Sequence, residues 1–209
     1  DHVTVKDSRG LTAVKDLRLD IHAGEVVGLA GIDGNGQSEL ISAMTGLMPT
    51  ASGKIMLNGK NIANKKPRQI TEAGVSHIPE DRQRYGLELD MTLAENIALQ
   101  TYYKRPLSKH GVLDYEAINK HARDLITKFD VRTVNELVPA GSLSGGNQQK
   151  AIIARELDRN ADFIIAAQPT RGLDVGAIEY IHQQLIYQRN ANKAVMLVSF
   201  ELVEILNVA

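Results

Sequence analysis

The sequence predicts an α/β fold in which a mostly parallel sheet is covered by helices, with a short antiparallel β portion at its start. Three observations predict it. Two almost wholly apolar runs of strand length, Asp162-Phe-Ile-Ile-Ala-Ala and Ala194-Val-Met-Leu-Val-Ser, alternate with stretches of helical spacing, the pattern of strands buried on both faces. A third apolar run, Val26-Val-Gly-Leu-Ala, leads through a glycine-rich loop into a helix. Near the N-terminus, alternating apolar residues in Val3-Thr-Val-Lys and Leu17-Arg-Leu-Asp-Ile flank the turn-forming cluster Asp7-Ser-Arg-Gly.

Taken in order, the elements begin with that strand, turn and strand. The helix after Val26–Ala30 carries Leu40, Ile41, Met44 and Leu47 at helical spacing. Lys54-Ile-Met-Leu-Asn-Gly-Lys places an Asn-Gly hairpin turn after a short strand. From about residue 83 to 141 the pattern is helical, in Leu93-Ala-Glu-Asn-Ile-Ala-Leu and again from Tyr115 to Phe129, where Ile118, Ala122, Leu125 and Ile126 share a face. Between them Lys104-Arg-Pro-Leu-Ser-Lys-His-Gly reads as a solvated basic loop. Asn147 to Leu157 and Val175 to Arg189 read as helices around the Phe163 strand.

Composition narrows the function classes. With 209 residues, 43% hydrophobic and 23% charged, the chain can bury one sizeable core and is neither disordered nor fibrous. Lys+Arg 24 against Asp+Glu 25 leaves no broad basic face, so no nucleic-acid partner is expected. The lack of cysteine excludes disulfides and thiolate metal sites and fits a reducing compartment. No apolar run approaches the roughly 18 to 20 residues of a membrane span, and the N-terminus lacks the layout of a signal peptide. The chain opens on Asp1 and stops inside a stretch that reads as a helix under way, so a piece of a longer polypeptide is expected.

Two motifs carry chemistry. Gly31-Ile-Asp-Gly-Asn-Gly-Gln-Ser matches the phosphate-loop frame G-x-x-x-x-G-K-[ST] except at the lysine, whose place Gln37 takes. Gly31, Asp33, Gly34, Asn35, Gly36, Gln37, Ser38 and Glu39 are therefore candidate phosphate-binding residues, with Ser38 of the type that ligates magnesium. The absent lysine would attract a phosphate by about 4 kcal/mol at 4 Å before desolvation, so binding should be weakened rather than lost. A glycine-rich turn without a ligand remains the alternative for this motif alone. In Leu143-Ser-Gly-Gly-Asn-Gln-Gln-Lys, Ser144 is a natural N-cap and Gly145 and Gly146 permit close backbone approach, which makes a second anion site at a helix start.

The second motif resembles the signature sequence of the ATP-binding cassette (ABC) family. The resemblance extends through Pro169-Thr-Arg-Gly-Leu-Asp, which looks like the family's D-loop, and covers essentially the whole chain. It implies an ABC-type P-loop ATPase fold as one nucleotide-binding domain over 1–209. In that division 1–82 and 143–209 form the RecA-like core with its antiparallel part, and 83–142 form an inserted helical subdomain. It implies ATP and Mg2+ as cofactors and a second cassette as partner, because cassettes pair head to tail with each ATP between one P-loop and the other signature. Transmembrane permease subunits at the cytoplasmic face of the cell membrane are the other implied partners, docked through the helical lobe. Gly34-Asn-Gly-Gln-Ser-Glu-Leu, Ile78-Pro-Glu-Asp-Arg and Arg171-Gly-Leu-Asp-Val-Gly-Ala are most similar to the second cassette of tandem ATPases of simple-sugar and nucleoside importers. Val198-Ser-Phe-Glu-Leu-Val-Glu-Ile resembles the nucleoside branch.

Departures from the family pattern set the expected mechanism. Ala167 and Gln168 stand where an aspartate and a glutamate end the Walker B strand, and Phe200 stands at the switch histidine. Alanine offers no oxygen to magnesium, and a glutamine cannot accept the proton of an attacking water, a role typically worth about 10²- to 10⁴-fold. Glu80 occupies the Q-loop glutamine position and is a candidate magnesium or water ligand. Asp174 resembles the D-loop aspartate, and it could equally cap the helix that follows it. Ser8 or Arg9 stands where many relatives stack an aromatic on adenine. The expectation is a cassette whose own site is degenerate, weak or inactive alone, and whose Ser144, Gly145 and Gly146 serve a partner's nucleotide. A non-hydrolysing structural cassette and a soluble non-transport ABC ATPase are the alternatives. His77, His110, His121 and His182 show no metal-ligand spacing.

Overall fold

A computed structural model describes residues 1–32 and 34–209. In chain order its elements are β1 (Val3–Lys6), β2 (Thr12–Leu17), β3 (Val26–Ala30), α1 (Gln37–Met44), β4 (Thr50–Ser52), β5 (Met56–Leu57), β6 (Lys60–Asn61), α2 (Pro67–Ala73) and β7 (Val75–Ile78). A π-helical turn (Arg82–Gly86) precedes α3 (Leu93–Ala98), β8 (Ser108–Lys109), β9 (Val112–Leu113), α4 (Tyr115–Lys128) and α5 (Gly145–Asp158). β10 (Phe163–Ala167), α6 (Val175–Asn190), β11 (Ala194–Ser199) and α7 (Leu202–Val208) complete the chain. They fall into two compact units: residues 1–77, 161–168 and 182–209 form the first, and residues 78–160 and 169–181 the second.

In the first unit β1 is central to an antiparallel sheet, β2-β1-β4. The Asp7 carboxylate accepts the backbone N–H of Arg9 (2.9 Å) and Leu11 (2.8 Å) and so closes a tight turn. Pairing therefore resumes at Thr12, opposite Lys6, and the second strand spans 12–17 rather than the expected 17–21. Leu19 and Ile21 lie outside any strand but pack their side chains on the apolar core. A second sheet has the order β3-β11-β10-β7, with β3, β11 and β10 parallel. Its central strands are buried along their whole length, as their unbroken apolar sequence requires. Ile41, Ile62, Ile70, Phe163, Ile165, Met196 and Val198 belong to one core cluster. The Asn58-Gly59 turn between β5 and β6 holds both residues at positive φ, 48° and 76°, as that dipeptide favours.

In the second unit α3, α4 and α5 pack on one another. Leu93, Ile97, Ile118, Ala122, Leu125, Ile152 and Ile153 are buried there. The starts of α3 and α4 have a local cause. Thr92 and Glu95 form a reciprocal capping box on α3, and Asp114 caps α4 by accepting the N–H of Ala117 at 3.0 Å. The stretch 104–111, expected as a loop, contributes β8 to a short hairpin with β9. Leu107 is buried and its carbonyl accepts the N–H of Asp114 at 2.9 Å, which folds the stretch back on itself. At the end of α5 the Glu156 carboxylate is fully buried between Arg155 and Arg159, at 3.1 and 2.8 Å, and accepts a hydrogen bond from Gln100 at 2.7 Å.

Candidate functional site

The candidate residues divide between the two units. Gly31, Gly34, Asn35, Gly36, Gln37, Ser38, Glu39, Gln168 and Phe200 belong to the first, and Glu80, Ser144, Gly145, Gly146 and Asp174 to the second. Asp33 lies outside the described residues.

In the first unit, β3 ends at Ala30 and α1 begins at Gln37, so the loop between them delivers its backbone to a helix N-terminus. Gly36 is the N-cap residue at φ 91°, a left-handed conformation that glycine adopts without strain. A Cβ at Gly36 would also run into the carbonyl oxygen of Ala13 on β2, so no larger residue fits. Gln37 folds its side-chain amide back over Gly31, where a Cβ at 31 would meet it. The amide offers hydrogen-bond donors without charge. Ser38 is exposed in the first helical turn and Glu39 is half-buried beside it. The N–H groups at the start of that turn, which have no intrahelical acceptor, suit an anion.

The end of β10 carries no carboxylate. Ala167 is buried, and Gln168 follows it, 7% exposed, at φ 46°. The backbone N–H of Gln168 donates to the carbonyl of Val198 at 2.8 Å, while its side-chain Nε2 is buried with no partner among the described residues. A buried unpaired amide donor costs about 1–3 kcal/mol, which marks Gln168 as a position not chosen for stability. Phe200, 36% exposed just beyond β11, brings no hydrogen-bonding side-chain atom. For a nucleotide-bound magnesium this unit offers the Ser38 hydroxyl, and the rest of an octahedral shell would have to be phosphate and water oxygens. Among the described residues no group of three His, Cys, Asp or Glu could hold a metal.

In the second unit, Ser144 takes the N-cap position of the fourteen-residue α5, at φ −62° and ψ 155°. Its hydroxyl does not cap the backbone, contrary to the expectation from residue type. It accepts instead from the side-chain amide of Asn147 at 2.9 Å, while Asn147 Oδ1 accepts from the N–H of Arg132 at 2.8 Å. The first-turn amides of α5 are left for another acceptor. Gly146 lies against the next helix start, where a Cβ would come within 3.4 Å of Ala177 and 3.6 Å of Asp174. Asp174 caps α6, its Oδ1 accepting the N–H of Ala177 at 2.9 Å. Buried Gln149 donates to the carbonyl of Pro169 at 2.8 Å, fixing the loop before α6 to α5.

Glu80 is already engaged. Its Oε1 lies 2.5 Å from Nη1 of Arg171, 91 residues on, and Arg82 Nη1 donates to the carbonyl of Arg171 at 3.0 Å. Neither arginine was a sequence candidate, although Ile78-Pro-Glu-Asp-Arg and Arg171-Gly-Leu-Asp contain them. Arg9 forks onto Asp7 through Nε and Nη2, at 2.9 and 2.8 Å, and that guanidinium bond holds the Asp7 carboxyl below its ordinary range. Lys150 is held by Asp130 at 2.6 Å over the ring of Tyr180. Burial, with a further contribution from Asp130, pushes the Tyr180 phenol up to about 12.

The chain is 64% identical over 207 residues to the nucleoside import ATP-binding protein NupA of Lactococcus lactis, covering 99% of this chain and 41% of that protein. It is 62% identical over 209 residues to the guanosine import ATP-binding protein NupO of Bacillus subtilis, covering 100% of this chain and 41% of that protein. The chain thus spans about two-fifths of the length of these relatives. Its fold matches the dimeric structure of MJ0796, a bacterial ABC transporter cassette, with a TM-score of 0.81 at 24% identity over 99% of this chain and 89% of that one. The ABC transporter family model matches residues 14–171, and the chain belongs to that family.

Proposed function

We propose that this chain is the ATP-binding cassette of an importer of nucleosides or simple sugars, that its own nucleotide site is degenerate, and that it lends its signature to a partner cassette. The import of nucleosides is supported by the names of NupA and NupO. The observation that carries the degenerate site is the end of β10, where buried Ala167 and Gln168 leave neither a magnesium carboxylate nor a general base. Gln37 in the lysine position, folded over Gly31, and Phe200 beyond β11 fit the same reading. On the other side Ser144, Gly145 and Gly146 open α5 with free amides, the arrangement a γ-phosphate from a partner's P-loop would need.

In this reading the chain is one domain, with 1–82 and 143–209 as the core and 83–142 as the helical subdomain that meets transmembrane permease subunits at the cytoplasmic face of the membrane. ATP with Mg2+ is held at Gly31, Asp33, Gly34, Asn35, Gly36, Gln37, Ser38 and Glu39, with Ser38 as the magnesium ligand. Asp174 crosses to the partner cassette, carried either in tandem on the same polypeptide or by a second chain. Among the described residues no helix is long and apolar enough to cross a membrane.

Calorimetric titration of the purified chain with ATP and magnesium, followed by phosphate release from the same sample, tests this. Binding that weakens in Ser38→Ala, without release, is the expected result. Release that disappears in Ser38→Ala would show an intact catalytic site here and overturn the proposal. Complete absence of binding would reduce the role to donation of the signature and overturn the ATP-holding part.

A further inference from the structure

We infer that Arg82 is a positioning residue. With the Glu80–Arg171 ion pair it braces the start of the signature helix against the loop 169–174. The segment 80–82 is thereby tied to the signature side of this cassette rather than to a nucleotide in its own phosphate loop. The inference rests on the proposed function, since a brace on the signature matters to turnover only if the signature serves a nucleotide.

Every contact in the brace lies within the second unit. Asp81 caps the π-helical turn by accepting the N–H of Gln83 and of Arg84, both at 3.0 Å, which directs Arg82 away from the turn's own cap. Arg82 then spans two places at once. Its Nη1 donates to the carbonyl of Arg171 at 3.0 Å, and its Nη2 sits 2.9 Å from the point a Cβ of Gly145 would occupy. A side chain at 145 would displace the guanidinium, so Arg82 packs closely on Gly145 because that residue has no Cβ, and, being a donor only, it leaves the Gly145 N–H free. The planar fork of arginine reaches two fixed points in a way a lysine ammonium does not. Its Nε is buried with no partner among the described residues, an arrangement that costs stability and so needs another reason to persist.

Two further contacts pin the same segment. Glu80 holds the Arg171 side chain at 2.5 Å while Arg82 holds its carbonyl, so loop 169–174 is gripped at one residue from both sides. At the far end of the turn Gly86 abuts α5, where a Cβ would lie 2.5 Å from Ile152. Local π-helical turns of this kind recur at functional sites. Glu80 is 30% exposed and Arg171 63% exposed, and ion pairs so placed contribute little to stability in water. Loss of the pair should therefore appear as motion and lost turnover more than as a lowered melting point. To ligate magnesium, the role expected from its Q-loop position, Glu80 would have to exchange its bond to Arg171 for one to the metal.

The brace itself is tested on this chain by hydrogen exchange. In Arg82→Ala the amides of 144–149 and 169–174 should exchange about 10-fold faster or more, because local opening of both segments is eased. Glu80→Gln should loosen 169–174 with an unchanged melting temperature. Unchanged exchange in both variants would overturn the brace. Its role in turnover is tested in the assembled importer. Arg82→Ala should lower kcat by about 10- to 100-fold, the order expected of a small misplacement of a phosphate-binding group, with KM for ATP little changed. Arg82→Lys should not restore it, and the exchange of charges in Glu80→Arg with Arg171→Glu should recover most of what either single change loses. A kcat indifferent to Arg82→Ala, or a swap that recovers nothing, would contradict the coupling. Ser144→Arg separates the two claims. If Ser144→Arg lowers turnover while the Arg82 variants do not, the brace fails and the signature reading stands; if Ser144→Arg is silent, the signature reading fails and the exchange data still decide the brace.

Discussion

At the residue scale, several candidate positions stand out by what the side chain lacks. Gln168 is isosteric with a glutamate but neutral, and it sits buried, with an Nε2 that has no partner among the described residues, at the end of a strand whose own residues are all apolar. Ala167 and Phe200 bring no polar side-chain atom at all. A different buried residue has a purely structural role. Glu156 is fully enclosed, and its two oxygens serve Arg155, Arg159 and Gln100. Glu156→Ala would leave both guanidinium groups buried without their counter-charge, and removing one partner of such a set costs about 3–5 kcal/mol. Chemical denaturation should show a loss of that size; a loss below about 1 kcal/mol, the level of a surface pair, would contradict the account. These single residues were unevenly legible. Ala167, Gln168 and Phe200 were singled out by the resemblance to the ABC family pattern, as departures from it. Arg82 and Arg171 were not, because they act through contacts spanning 89 and 91 residues, and no local pattern encodes such a contact.

At the element scale, helix starts have simple local causes. α3 begins where Thr92 accepts the N–H of Glu95 at 3.2 Å and Glu95 returns its carboxylate to the Thr92 hydroxyl and N–H, at 2.8 and 2.9 Å. The Thr92 hydroxyl, chiefly, and then its N–H hold the Glu95 carboxyl below its ordinary value. A lowered carboxyl pKa adds stability that is present above the unfolded value and is lost as pH falls through the folded one. Thr92→Ala should therefore cost about 1 kcal/mol at neutral pH, and the gap to the native chain should narrow as pH falls below 4.5 toward the lowered value. Equal stability of the two chains at pH 7, or a gap that widens in acid, would refute this. α5 differs, because Ser144 gives its hydroxyl to Asn147 and leaves the backbone amides uncapped. Residue type alone identified the N-cap position but not the competing side chain three residues on. The strand at 12–17 was shifted from its expected span for a similar reason, since the Asp7 carboxylate closes its turn earlier than alternation alone shows.

At the scale of the whole molecule, the α/β architecture was legible because its buried strands are continuous apolar runs and its phosphate loop sits between a strand and a helix. The short pieces were less so. α2 and β7 lack a distinctive period over their seven and four residues, and the β8–β9 hairpin has two residues per strand. The central claim concerns the asymmetry between two sets of groups: a phosphate loop and strand end stripped of catalytic chemistry, and a signature helix with its amides free. The most direct measurement is ATP turnover by the assembled importer carrying either Ser144→Arg or Ser38→Ala in this cassette. The account predicts that Ser144→Arg, which blocks donors needed in the transition state, lowers turnover by about 10²-fold or more, while Ser38→Ala leaves most of it. Turnover abolished by Ser38→Ala and spared by Ser144→Arg would contradict it.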